Sequence, residues 1–218
     1  MARPRRIVLI RHGESEGNVD DTVYEHVPDH ALRLTALGRE QAEGAGARLR
    51  AYFDGERVSA YVSPYRRTLE TYRHLGLDPS LVRAREEPRL REQDWGNWQD
   101  PPEVKRQKAA RDTYGHFFYR FAQGESGADV YDRVGAFLES LWRSFEAPDH
   151  PQNVLLVTHG LTMRLFCMRW MHWSVAEFES LSNPGNAESR ALVLGSDGRY
   201  HLDRPFERWC VPEPFETL

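Results

Sequence analysis

Two short apolar runs constrain this chain more than any other feature. Ile7-Val8-Leu9-Ile10 ends at once in Arg11-His12-Gly13-Glu14-Ser15, and Val154-Leu155-Leu156-Val157-Thr158 ends in His159-Gly160. Continuous apolar runs of this length, stopped by polar residues and glycine, read as strands buried on both faces, the condition of parallel strands inside an α/β sheet. Residues at the carboxyl ends of such strands project into the crevice where open α/β sheets bind ligands, and Gly13 allows a sharp turn there. If the two strands are neighbours, their imidazoles meet.

The segments between follow a strand, helix, strand, helix rhythm. Residues 14–34, broken by Gly17 and Pro28, read as a long loop over the crevice. Thr35 caps a helix whose stripe, Ala42, Ala45, Leu49 and Phe53, stops at Asp54-Gly55. A strand at 58–62 turns through Ser63-Pro64 into a helix reaching about Leu75, and a short strand at 81–84 precedes an irregular stretch at 90–98. The basic then aromatic segment 103–121 reads as a helical excursion over the sheet edge. Ser126 and Asp129 form a capping box before a helix with Val130, Val134, Phe137, Leu138, Leu141, Trp142 and Phe145 on its core face. A mostly apolar helix at 161–170 and a closing hairpin, 190–194 with 200–202, complete the expected α/β fold with a mostly parallel sheet, one domain over 1–218.

Composition narrows the function classes. A formal charge of -4, from 33 acidic and 29 basic residues, gives no broad basic footprint for nucleic acid, so any anion site must be local. The apolar run after Arg5-Arg6 is too short for a signal peptide, and no stretch reaches the length of a membrane span. Cys167 and Cys210 make neither a disulfide framework nor a zinc ribbon, so a cytoplasmic protein with no metal and no cofactor is expected. No feature specifies an oligomeric state.

The chemistry is expected at the strand ends. Arginine offers phosphate oxygens a planar fork of donors, and a neutral histidine nitrogen can attack phosphorus, so the Arg11-His12 pair suits a phosphate ester. Arg11-His12-Gly13-Glu14-Ser15 with Asn18, Leu34-Thr35-Ala36-Leu37-Gly38, the 63–71 segment Ser-Pro-Tyr-Arg-Arg-Thr-Leu-Glu-Thr, and Thr158-His159-Gly160 together resemble the histidine phosphatase superfamily, phosphoglycerate mutase-like branch. The 91–99 segment Arg-Glu-Gln-Asp-Trp-Gly-Asn-Trp-Gln, Gly124-Glu125-Ser126 and Val130-Tyr131-Asp132-Arg133-Val134 are similar to the plant and fungal members that include broad-range acid phosphatases.

The resemblance implies a three-layer α/β/α sandwich. It implies His12 as a nucleophile forming a phosphohistidine, His159 as the second active-site histidine and Glu92 as the acid that protonates the leaving oxygen. Arg11, Arg67, Asn18 and Gly160 would bind the phosphoryl group. Arg67 rather than Arg66 fits the motif because it directly precedes a small residue, Thr68, where the family more often has alanine.

Phosphomonoester hydrolysis of a small phosphorylated metabolite, without metal, is the expected function. The alternatives are mutase-type phosphoryl transfer and a phospho-ligand binding protein without turnover. Glu92 is open to a second role, pairing with Arg89 or Arg91. Lys105, Arg106, Lys108 and Arg111 form either a cationic rim or a solvated helix face. Tyr114, Phe117, Phe118, Tyr119 and Phe121, with Trp95 and Trp98, serve either a substrate entrance or packing.

Overall fold

The computed structural model describes residues 3–96 and 100–209. Trp98, with its neighbours Asn97 and Gln99, and Cys210 therefore lie outside the described residues. Six strands form one sheet among those described: β1 (Arg6–Arg11), β2 (Val58–Val62), β3 (Val82–Glu86), β4 (Asn153–Thr158), β5 (Ser189–Leu194) and β6 (Tyr200–Leu202), in the spatial order β3-β2-β4-β1-β5-β6. The first four are parallel, and β5 and β6 close one side antiparallel.

The helices are α1 (Glu16–Val19), α2 (Ala36–Phe53), α3 (Arg66–His74), α4 (Pro101–Tyr114), α5 (Gly127–Ser144), α6 (Gly160–Met171) and α7 (Val175–Ser180). Alternation along the strands sorts the core into two layers. Val8, Ile10, Val58, Ala60, Leu155 and Val157 pack with Ala45, Leu49 and Phe53 of α2 on one face. Ile7, Leu9, Tyr61, Val154 and Leu156 pack with α5 and α6 on the other. The three-layer arrangement follows from that division.

The strand ends decide where a ligand can enter. The chain leaves β1 toward α2 on one face and leaves β4 directly into α6 on the other, and β1 and β4 are neighbours paired from Arg6↔Asn153 to Arg11↔Thr158. A crevice opens between strands whose connections depart on opposite sides.

Several segments differ from the sequence-based expectation. The loop at 14–34 contains α1 and two 3-10 turns, Asp21–Glu25 and Asp29–Ala31. Asp20 nucleates the first of these by accepting the Thr22 N–H, a local side-chain bond that periodicity does not report. The excursion at 103–121 is helical only through Tyr114, because Gly115 adopts φ 106°, outside the helical range. Trp142, expected on the core face of α5, is 41% exposed and instead stacks on Trp170 at the surface, ring centres 5.0 Å apart, and the short helix α7, capped by Ser174, follows no periodicity in the sequence.

Candidate active site

Gly13 sets the geometry of the first strand end. A Cβ at this position would lie 2.3 Å from the Gly38 carbonyl oxygen, so the β1 loop meets α2 backbone to backbone. The Gly13 N–H donates to Thr71 Oγ1 at 3.0 Å, which ties that loop to α3. His12 is thereby held buried, with its backbone N–H donating to the Thr158 carbonyl at 3.0 Å.

The two histidines are edge to face, ring centroids 5.2 Å apart at 62°. His12 Nδ1 lies 2.7 Å from the Gly13 carbonyl, which can only accept, so the proton sits on Nδ1 and the Nε2 lone pair is free. His159 Nε2 lies 2.8 Å from Ser63 Oγ, and the Tyr65 N–H lies 3.5 Å from the same oxygen. With Ser63 donating to Nε2, Nδ1 carries the His159 proton; that nitrogen is buried without a hydrogen-bond partner among the described residues and lies 3.7 Å from Glu92 Oε2.

Charge around the rings is arranged with equal economy. Burial first, then the positive charges of Arg67 and Arg11, holds the His12 imidazole well below its ordinary value. Burial, Arg67 and His12 do the same to His159. Glu92 is affected in the opposite sense: burial pushes its carboxyl above the usual carboxylate range, against the pull of Arg67. The crevice therefore favours two neutral imidazoles and disfavours ionisation of the Glu92 carboxyl.

The two arginines of the α3 motif diverge. Arg66 is exposed and pairs with Glu70 four residues on, whereas Arg67 is 4% exposed and faces the histidines. Arg67 Nη1 donates to both the carboxylate and the backbone carbonyl of Asp29, at 2.8 and 2.7 Å, and its guanidinium lies over Tyr65, 4.9 Å from the ring centre. Arg11 donates to the Pro184 carbonyl at 2.6 Å and leaves its Nε buried and unpartnered. Asn18 uses its Oδ1 to accept from Ser15 and Asn186, leaving the amide nitrogen as a donor. Gly160 opens α6, where the first backbone N–H groups have no partner in the helix; a Cβ there would meet Asn183 at 2.7 Å.

Glu92 pairs with neither Arg89 nor Arg91, which engage Glu87 and Glu125. Its backbone is clamped instead. Arg133, on α5, donates to the carbonyls of Arg89, Arg91 and Glu92 at 2.6 to 3.0 Å while its guanidinium is paired with Glu125. Thr158 and Thr162 bind the carbonyls of Leu90 and Arg91.

Ser63, Asp29, Tyr65 and Arg133 thus shape the crevice although sequence reasoning gave them no part in it. Ser63 and Tyr65 were legible as a turn and as members of the 63–71 motif; the signal available for Glu125 and Arg133 was their place in the fungal and plant-like motifs. The basic helix divides: Lys105 and Arg106 are exposed, but Arg111 turns inward, 4.7 Å from the Trp95 ring. Phe117 and Phe121 are core residues, and Tyr114 and Phe118 are exposed.

Two imidazoles held toward the neutral form beside the guanidiniums of Arg11 and the buried Arg67, at the switch point of a parallel sheet, form an α/β enzyme site shaped for an anionic ester. The chain belongs to the histidine phosphatase superfamily, branch 1, whose family model matches residues 7–204. It is 49% identical over 214 residues to the phosphoglycerate mutase-like protein AT74 of Arabidopsis thaliana, covering 91% of this chain and 68% of that protein. Broad-range acid phosphatase DET1 of Saccharomyces cerevisiae is 32% identical over 304 residues, 95% of this chain and 91% of its own. The mycobacterial glucosyl-3-phosphoglycerate phosphatase solved with inorganic phosphate superposes with a TM-score of 0.71 at 27% identity, covering 94% of this chain and 98% of that one.

Proposed function

We propose that this protein hydrolyses small phosphomonoesters through a phosphohistidine on His12. The observation that carries the reading is the free Nε2 of a buried, neutral His12 set between Arg11 and Arg67, with Glu92 across the crevice. Nε2 attacks phosphorus as the ester P–O bond breaks, and the departing oxygen takes the Glu92 proton. Water then attacks the phosphohistidine, Glu92 accepts its proton, the P–N bond breaks and phosphate leaves. Arg11, Arg67, the Asn18 amide, His159 Nδ1–H and the Gly160 N–H stabilise the phosphoryl oxygens, a charge neutralisation that needs no metal.

Hydrolysis is favoured over mutase-type transfer by the names of relatives that are themselves phosphatases. With this reading go a small phosphorylated metabolite as partner, no nucleic acid and a cytoplasmic location. Among the described residues no helix is long and apolar enough to cross a membrane. The test is rapid alkaline quenching during turnover of a phosphorus-32 labelled monoester, with and without EDTA. Label on His12, lost in His12→Ala along with at least a thousandfold in rate, is the expected result. Label on another residue, or His12→Ala within tenfold of the parent, defeats it. Supplying 3-phosphoglycerate separates hydrolysis, which releases phosphate, from transfer, which yields 2-phosphoglycerate.

A further inference from the structure

The catalytic crevice occupies the carboxyl ends of the strands, and a second cavity, of about 570 Å3, lies along β2 and β3 toward their amino ends. Its floor follows from register. Ser59 is opposite Arg83 and Tyr61 opposite Arg85, so alternation raises all four from one face of the sheet. That face is the one α5 covers, since Tyr61 packs on Phe137 with ring centres 5.2 Å apart. The helix contributes only its final residue, Ser144, to the cavity, and the turn after it, through Asp149 and His150, forms the far wall. Arg57 completes the lining and is tied to that turn by donating to the Asp149 backbone carbonyl at 2.9 Å.

The charge is lopsided: the three guanidiniums of Arg57, Arg83 and Arg85 stand against the single carboxylate of Asp149, and the His150 imidazole, lowered by burial, adds a neutral polar group. Arg85 lies over the Tyr61 ring at 4.3 Å and donates to its hydroxyl at 2.7 Å, which fixes the group over the floor and leaves most of its five donors unused. The Arg83 side chain makes no hydrogen bond or ion pair with any described residue. His150 Nδ1 donates to the Pro151 carbonyl, and its Nε2 lies 3.4 Å from Ser144 Oγ. Charged residues on an edge strand also deter pairing with other chains. That task does not require an arginine laid back over the sheet and hydrogen-bonded to an aromatic floor.

We propose that this cavity is a second anion site, distinct from the catalytic crevice, for a small molecule carrying two or more phosphate groups. Guanidiniums on a fixed floor suit phosphate oxygens. The volume lies within the roughly 300 to 1,000 Å3 of small-molecule sites and exceeds the space one phosphate needs.

Calorimetric titration with methylenediphosphonate, which resists hydrolysis, tests this on the intact protein in 150 mM salt. The parent is expected to bind two equivalents, one displaced by orthovanadate at the catalytic crevice and one not. Arg83→Ser, which removes a side chain without partners and leaves turnover of a simple aryl phosphate unchanged, should weaken the vanadate-resistant event at least tenfold; Arg85→Ser should do the same. Inorganic phosphate should bind that site at least tenfold more weakly than the diphosphonate. A single vanadate-sensitive equivalent in the parent, or an Arg83→Ser titration that overlays the parent's, overturns the proposal.

Discussion

Ser63 Oγ lies 2.8 Å from His159 Nε2, joining the end of β2 to the end of β4 across a buried hydrogen bond. The bond selects which nitrogen of His159 carries the proton. Ser63→Ala should lower kcat about tenfold, the rate equivalent of about 1.4 kcal/mol, with KM changed less than threefold. Nitrogen-15 shifts of the histidine rings should show His159 losing its Nδ1–H preference. Unchanged shifts with an unchanged rate would show that Ser63 only packs.

On the proposed mechanism, Glu92 should govern the basic side of the pH profile. Activity should rise as pH climbs through the depressed His12 value, which lies below 6.5, and fall as pH passes the raised Glu92 value, because the acid then loses its proton. The optimum therefore lies between the depressed His12 value and the raised Glu92 value. Glu92→Gln should lose at least a hundredfold in kcat on esters with poor leaving groups and abolish the basic limb. Folding should respond with the opposite sign: the raised folded-state value means stability is lost as pH rises from the unfolded carboxyl value through the folded one, so a neutral Gln should stabilise the protein by roughly 0.5 to 2 kcal/mol at pH 7. Thermal denaturation at pH 4.5 and pH 7 checks this; a gain confined to the lower pH contradicts it.

Arg133 should act on catalysis without touching the substrate. Arg133→Met leaves Glu125 short of a buried partner and frees three carbonyls at 89–92, which should cost about 3 kcal/mol and lower the melting temperature by roughly 6 to 12 °C. Adding Glu125→Gln should recover part of the stability but none of the kcat, because the anchor of the Glu92 backbone is still missing. Full recovery of kcat in the double variant would assign Arg133 a purely structural part.

Gly13→Ala should destabilise by about 2 to 4 kcal/mol, since a Cβ 2.3 Å from the Gly38 carbonyl forces two backbones apart. Gly44→Ala is the control. That glycine is exposed within α2 and a Cβ would meet only the end of Arg48 at 3.7 Å, so the substitution should stabilise by about 0.5 to 1 kcal/mol. Denaturant midpoints measure both.

What could be read along the chain was what local physics writes there. Apolar runs such as Ile7–Ile10, the Thr35 and Ser126 caps, and the stripe from Val130 to Leu141 each act over a few residues, so their spacing reveals the elements and the strand ends where His12 and His159 would emerge. The motifs around these elements carried the family. The partnerships that set the chemistry were of another kind: Asp29 reaches Arg67 across 38 residues, Ser63 reaches His159 across 96, and Arg133 reaches back more than 40 to hold Glu92. Each depends on which strands become neighbours, and β4 inserting between β1 and β2 is decided by the packing of the whole sheet. Proton position, charge state and the second cavity are consequences of that insertion, which no window of sequence contains.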